Sequence, residues 1–135
     1  MVCSLIDKGE ITSISKEDAV TTFIAGILRS VRFGAASAHG VANMMCFNYF
    51  EDNQAFTKNA DGIYSINYDN AFKAINSWAA KILEIEGTGD IDGAKAYADK
   101  NGQIRTSLQE TLDVINGKNI PKDIRYEQGK KVLGL

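Results

Sequence analysis

Arg32-Phe33-Gly34-Ala35-Ala36-Ser37-Ala38-His39-Gly40-Val41-Ala42-Asn43-Met44-Met45-Cys46-Phe47 joins two apolar helical patterns and holds the one histidine of the chain. Gly34 can end or bend the helix before it. From about Ala36 to Phe50 the spacing predicts a second helix with His39, Ala42, Cys46, Tyr49 and Phe50 on one face. That helix carries little charge until Glu51-Asp52, so burial on most sides is expected. Small residues flank the imidazole on both sides and let another surface approach it closely. A lone imidazole can touch a substrate, but it cannot by itself hold a metal tightly or complete a catalytic triad. The stretch has the character of one part of an active site.

Upstream, Ser15-Lys16-Glu17-Asp18 reads as an N-cap with an acidic first turn. Behind it Val20, Phe23, Ile24, Ile27, Leu28 and Val31 recur at helical spacing. Residues 1–12 show no clear period. Downstream, Ala55-Phe56-Thr57 and Ile63-Tyr64-Ser65-Ile66 flank Asn59-Ala60-Asp61-Gly62 and predict a short hairpin around an Asp-Gly turn. A long helix follows from Tyr68, with Phe72, Ile75, Trp78, Ala79, Ile82 and Leu83 as its stripe and Gly87-Thr88-Gly89 as its stop. Asp90 can cap a shorter helix holding Ile91, Ala94 and Ala98, closed by Asn101-Gly102. Thr106-Ser107-Leu108-Gln109 resembles a capping box before Leu108, Leu112 and Ile115, and Asn116-Gly117 ends that helix. From about residue 118 the tail, with the one proline of the chain at Pro121, reads as extended, and Glu127 to Leu135 has no evident packing role.

At 135 residues the chain fits one domain or a piece of a larger one, and a chain of this length buries about two thirds of its unfolded surface. A net charge of -2 and a pI near 5.4 argue against a nucleic-acid partner, which calls for a basic face. No apolar run approaches the roughly 20 residues of a membrane helix, and no signal peptide is visible, which makes a cytoplasmic location the default expectation. Cys3 and Cys46 form no C-x-x-C motif, and Cys46 reads as a small buried hydrophobe.

With one histidine and two distant cysteines the chain offers no zinc cluster of three or four ligands. Gly87-Thr88-Gly89-Asp90 lacks a lysine and places an acid where a phosphate would dock, so it reads as a turn between helices. His39 is either a structural imidazole, which the pattern alone favours, or a hydrogen-bond donor to an oxyanion or a substrate carbonyl. Asn43, one turn later on the same face, adds an amide. Arg125, in the tail, is either a solvated arginine, which spacing favours, or a carboxylate clamp.

Ala38-His39-Gly40-Val41-Ala42-Asn43-Met44 and Lys81-Ile82-Leu83-Glu84-Ile85-Glu86-Gly87-Thr88-Gly89-Asp90-Ile91-Asp92-Gly93-Ala94-Lys95 together resemble the C-terminal part of the dipeptidyl-peptidase III zinc metallopeptidases, most closely the bacterial branch. The order also resembles that family: an Ala-His helix, a hairpin, a long helix ending in Gly-Asp, and a tail with an arginine. The resemblance runs from about Phe23 to Arg125. It implies a parent enzyme that removes dipeptides from peptide N-termini, with zinc held by a His-Glu-x-x-Gly-His helix and a later glutamate. Neither is in this sequence, so zinc belongs to the full-length parent and none is bound by this segment. By the same resemblance His39 is the residue that stabilises the scissile carbonyl, and Arg125 helps hold the peptide substrate. Eukaryotic members carry an arginine where Asn43 stands. Some relatives also have a Nudix domain, but the R-E-x-x-E-E core of a Nudix box is absent from this sequence.

The expectation is a mainly α unit over residues 1–135, with about five helices and one small β-hairpin. It would form part of the helical, zinc-bearing lobe of a larger enzyme and pack against the rest of the parent chain. Catalytic His39 and substrate-binding Asn43 and Arg125 are its candidate site residues. The rival is a stand-alone helical binding module with a structural His39. An apolar face left uncovered favours the segment, and a compact polar surface favours the module.

Overall fold

The computed structural model describes residues 2–123, 127 and 129–134. Ser15 starts α2, Lys16–Ser30, with a reciprocal cap: its hydroxyl accepts from the Asp18 N–H while the Asp18 carboxylate accepts from the Ser15 N–H. It is preceded by a short α1, Val2–Asp7, which the aperiodic start did not suggest. A single 3-10 turn, Val31–Phe33, leads to α3, Ala38–Asp52. Strands β1, Phe56–Lys58, and β2, Tyr64–Ile66, pair antiparallel with Phe56 opposite Ile66. Then come α4, Tyr68–Thr88, α5, Ile91–Asn101, α6, Thr106–Gly117, and a one-turn α7, Lys130–Leu133. The mainly α reading with one hairpin holds. The expected helices are α2 to α6, and the two added ones are short.

The core lies on α3. Met44, Phe47 and Phe50 are fully buried against Val20, Ile24 and Ile27 of α2, Ala71 and Ala74 of α4, and Leu108 and Leu112 of α6. The Phe47 ring lies 5.0 Å from that of Phe56, so the hairpin closes one side of the core.

Several local expectations change. The hairpin turn is a five-residue loop, because the Asn59 side chain accepts from the Asp61 and Ile63 N–H groups, with Gly62 at φ 80. The helix α4 runs on through Gly87 and Thr88 and stops at a left-handed Gly89. Its inward face is centred on Ala71 and Ala74, small residues that let α4 approach α3, and Leu83 stays exposed. The start of α6 is no capping box: Arg105 occupies the N-cap without a side-chain cap. Asp90 does cap α5, accepting from the Gly93 N–H, yet α5 buries no residue fully.

Candidate functional site

The geometry around His39 starts at Gly34. Its φ of 80 with ψ of -170 is a conformation essentially reserved for glycine, and it turns the chain sharply back. The Gly34 carbonyl then lies against the first turn of α3, where Gly40 is buried. A Cβ on Gly40 would collide with that oxygen, so two glycines six residues apart permit one close backbone crossing. Ser37 caps α3 there by accepting from the Gly40 N–H at 3.1 Å.

His39 follows in the first turn and is exposed, with no described residue hydrogen-bonded to its imidazole. Asn43 is half-buried one turn on, on the same face. The expected burial on most sides holds for α3 from Met44 onward; before it only Gly40 is buried, against the Gly34 backbone, while His39 and Ala42 stay at the surface. Unlike α2, α4 and α5, α3 carries no acidic residue in its first turn. The positive end of its dipole is uncompensated beside the imidazole, which favours negative charge there.

The other end of α3 is held by contacts the sequence reading missed. The buried Asn48 amide donates to the carbonyls of Asn101 at 2.8 Å and Gln103 at 2.9 Å, tying α3 to the end of α5. Its signal was a lone amide inside the apolar run Met44 to Phe50. Arg105 grips Asp52 with two hydrogen bonds, at 2.6 and 2.8 Å, and Glu51 with a third at 3.0 Å. That fork holds the Asp52 carboxyl below the usual carboxylate range and raises the Arg105 guanidinium. Burial pushes the Cys46 thiol up to about 12, as suits a packing residue.

Arg125 lies outside the described residues. The tail leading toward it is tied near the Gly34 turn: Arg32 donates to the carbonyls of Ile120 at 2.7 Å and Pro121 at 3.2 Å, and Arg29 pairs with Asp123 at 3.5 Å. A separate cavity of about 440 Å³ lies between the hairpin and α6, where Lys58 donates to the Ser107 carbonyl at 2.7 Å; it includes neither His39 nor Asn43. Among the described residues no group of three or more His, Cys, Asp or Glu side chains is placed to hold a metal ion. The zinc that the resemblance implies does not fit the described residues of this chain. No helix of the described residues is long and apolar enough to cross a membrane.

Fold and site together define a helical unit that presents one imidazole at an exposed helix start and, among the described residues, no cluster of side chains placed to hold a metal. No protein-family profile matches the sequence. The fold matches the structure of dipeptidyl-peptidase III from Corallococcus sp. strain EGB, with a TM-score of 0.82 and 33% identity over 90% of this chain and 22% of that one. It also matches DPP III from Caldithrix abyssi, with a TM-score of 0.79 and 26% identity over 89% of this chain and 23% of that one. A curated relative, Nudix hydrolase 3 of Arabidopsis thaliana, is 32% identical over 120 residues, which is 89% of this chain and 16% of the relative. The chain thus resembles a segment of dipeptidyl-peptidase III in fold and sequence. It spans about a sixth of that curated relative and between a fifth and a quarter of the matched structures.

Proposed function

We propose that the chain is the C-terminal part of a zinc-dependent exopeptidase that releases dipeptides from peptide N-termini, and that it supplies substrate-facing groups while zinc and the general base come from the rest of the parent chain. The observation that carries this reading is the likeness to dipeptidyl-peptidase III, at 33% identity over 90% of the chain, combined with His39 on the exposed, acid-free first turn of α3. In this reading the imidazole donates a hydrogen bond to the scissile carbonyl as it becomes an oxyanion, aided by the helix dipole. Asn43 adds an amide contact to the peptide one turn along. Arg125 pairs with a substrate carboxylate or carbonyl, a role supported by the tethering of its tail to Arg32, seven residues before His39. Bound in the parent, zinc would supply Lewis-acid and water-activating chemistry.

Exposed area favours the segment over the stand-alone module. A compact monomer of 14.7 kDa exposes about 6,900 Å², whereas this chain exposes 9461 Å². The test is His39→Ala in the parent enzyme. Turnover should fall by on the order of 10²-fold, with little change in KM and no change in bound zinc. Unchanged turnover, or loss of zinc, would refute the role.

A further inference from the structure

The excess surface has an identifiable apolar seat. Between α1, α2 and α4 lies an open groove of about 330 Å³, lined by Val2, Cys3, Ile14, Val20, Phe23 and Ile75, with no charged side chain among its walls. Its floor, Val20, is buried, while Val2, Ile14 and Phe23 are 44%, 42% and 44% exposed. By contrast the cavity beside the hairpin is rimmed by Lys58, Asp61, Glu110 and Lys118, as suits a face left in water. Charge-free walls around large apolar side chains are the signature of an interface core. The Phe23 ring of the groove lies 5.6 Å from that of Phe50, near the end of α3, and is tilted against it. That is about 16 Å along the helix from His39, so the groove is not the proposed substrate site.

We infer that this groove is the seat for the remaining part of the dipeptidyl-peptidase III-like fold, filled by an apolar helix or strand from the roughly four fifths of that fold that this chain does not span. The inference rests on the segment reading above and adds the place where the missing part docks. Two observations choose this occupant. The chain covers only 22% of the matched structure while keeping its fold at a TM-score of 0.82. The area exposed beyond that of a compact monomer, roughly 2,500 Å² on this side alone, would make an interface of roughly 5,000 Å² counted over both sides, within the range of obligate interfaces.

The experiment compares the isolated chain with a chimera in which it replaces the matching fifth of the Corallococcus dipeptidyl-peptidase III. Iodoacetamide at pH 8 reads the groove through Cys3, because Cys46 stays a protonated thiol there. Cys3 should be alkylated at least tenfold more slowly in the chimera than in the isolated chain. Ile14→Asp should leave the melting temperature of the isolated chain within a degree or two and lower that of the chimera by several degrees. Equal alkylation in both settings, equal effects of Ile14→Asp, or a chimera that does not assemble overturns the inference. So does an isolated chain that sediments as a dimer dissociated by Ile14→Asp, which would make the occupant a second copy. A chimera with a protected Cys3 but no peptidase activity would refute the functional reading and leave the docking seat standing.

Discussion

Gly40→Ala should destabilise the protein, although alanine is the better helix former. An added Cβ at residue 40 lands on the Gly34 carbonyl oxygen and comes within 3.1 Å of Ala35 Cα. The obstacle is backbone, already committed by the φ of 80 at Gly34, so it cannot rotate aside. Overpacking of this kind costs about 1–3 kcal/mol, against a gain of about 1 kcal/mol in helix propensity. The net loss of up to roughly 2 kcal/mol corresponds to a melting temperature lower by up to roughly 10 °C for a chain of this size. Gly26 is the internal control: it lies mid-helix in α2 and an added Cβ meets nothing within 4 Å. Gly26→Ala should therefore raise stability by up to about 1 kcal/mol. Thermal unfolding followed by circular dichroism decides the matter. A Gly40→Ala protein as stable as the Gly26→Ala protein would refute the backbone crossing that positions His39.

Arg105→Ala should cost about 1–2 kcal/mol at neutral pH, since its fork is partly exposed. The depressed Asp52 carboxyl contributes stability that is present above its unfolded value near pH 4 and is lost as pH falls through its lower folded value. Urea titrations should accordingly show a shallower loss below about pH 4 in the variant, and parallel pH profiles would contradict the assignment. Asn48→Asp should be more damaging than Asn48→Ala: alanine forfeits two hydrogen bonds, about 1–3 kcal/mol, whereas a carboxylate would face the Asn101 and Gln103 carbonyls with acceptors only. Denaturation midpoints in the reverse order would rule out that bridge.

What could be read in the sequence was what short-range physics dictates. The capped start of α2, the Asp90 cap and the apolar spacing of α2 and α6 all follow from interactions within a few residues, and these survived. The α4 stripe was legible in part: Phe72, Ile75 and Trp78 do pack against the core, but the fully buried positions are Ala71 and Ala74, which depend on how closely α3 approaches, a tertiary matter. Arg105 was invisible as a partner of Glu51 and Asp52 because the pairing spans more than 50 residues of chain. The Gly34–Gly40 crossing was half legible: the small residues around His39 announced a close approach, but not that the approaching surface at Gly40 is the backbone of this same chain. His39 and Asn43 were placed together by helical spacing, which fixes a shared face and leaves burial to the packing of the whole helix.

The most direct measurement is release of naphthylamine from a dipeptidyl-naphthylamide in the presence of zinc, by the isolated chain and by the chimera with the Corallococcus enzyme. The isolated chain should show no turnover above background, because the described residues offer no metal-binding cluster. The chimera should turn over, and His39→Ala should lower its kcat on the order of 10²-fold. Zinc-dependent turnover by the isolated chain, or a chimera indifferent to His39→Ala, would contradict the account.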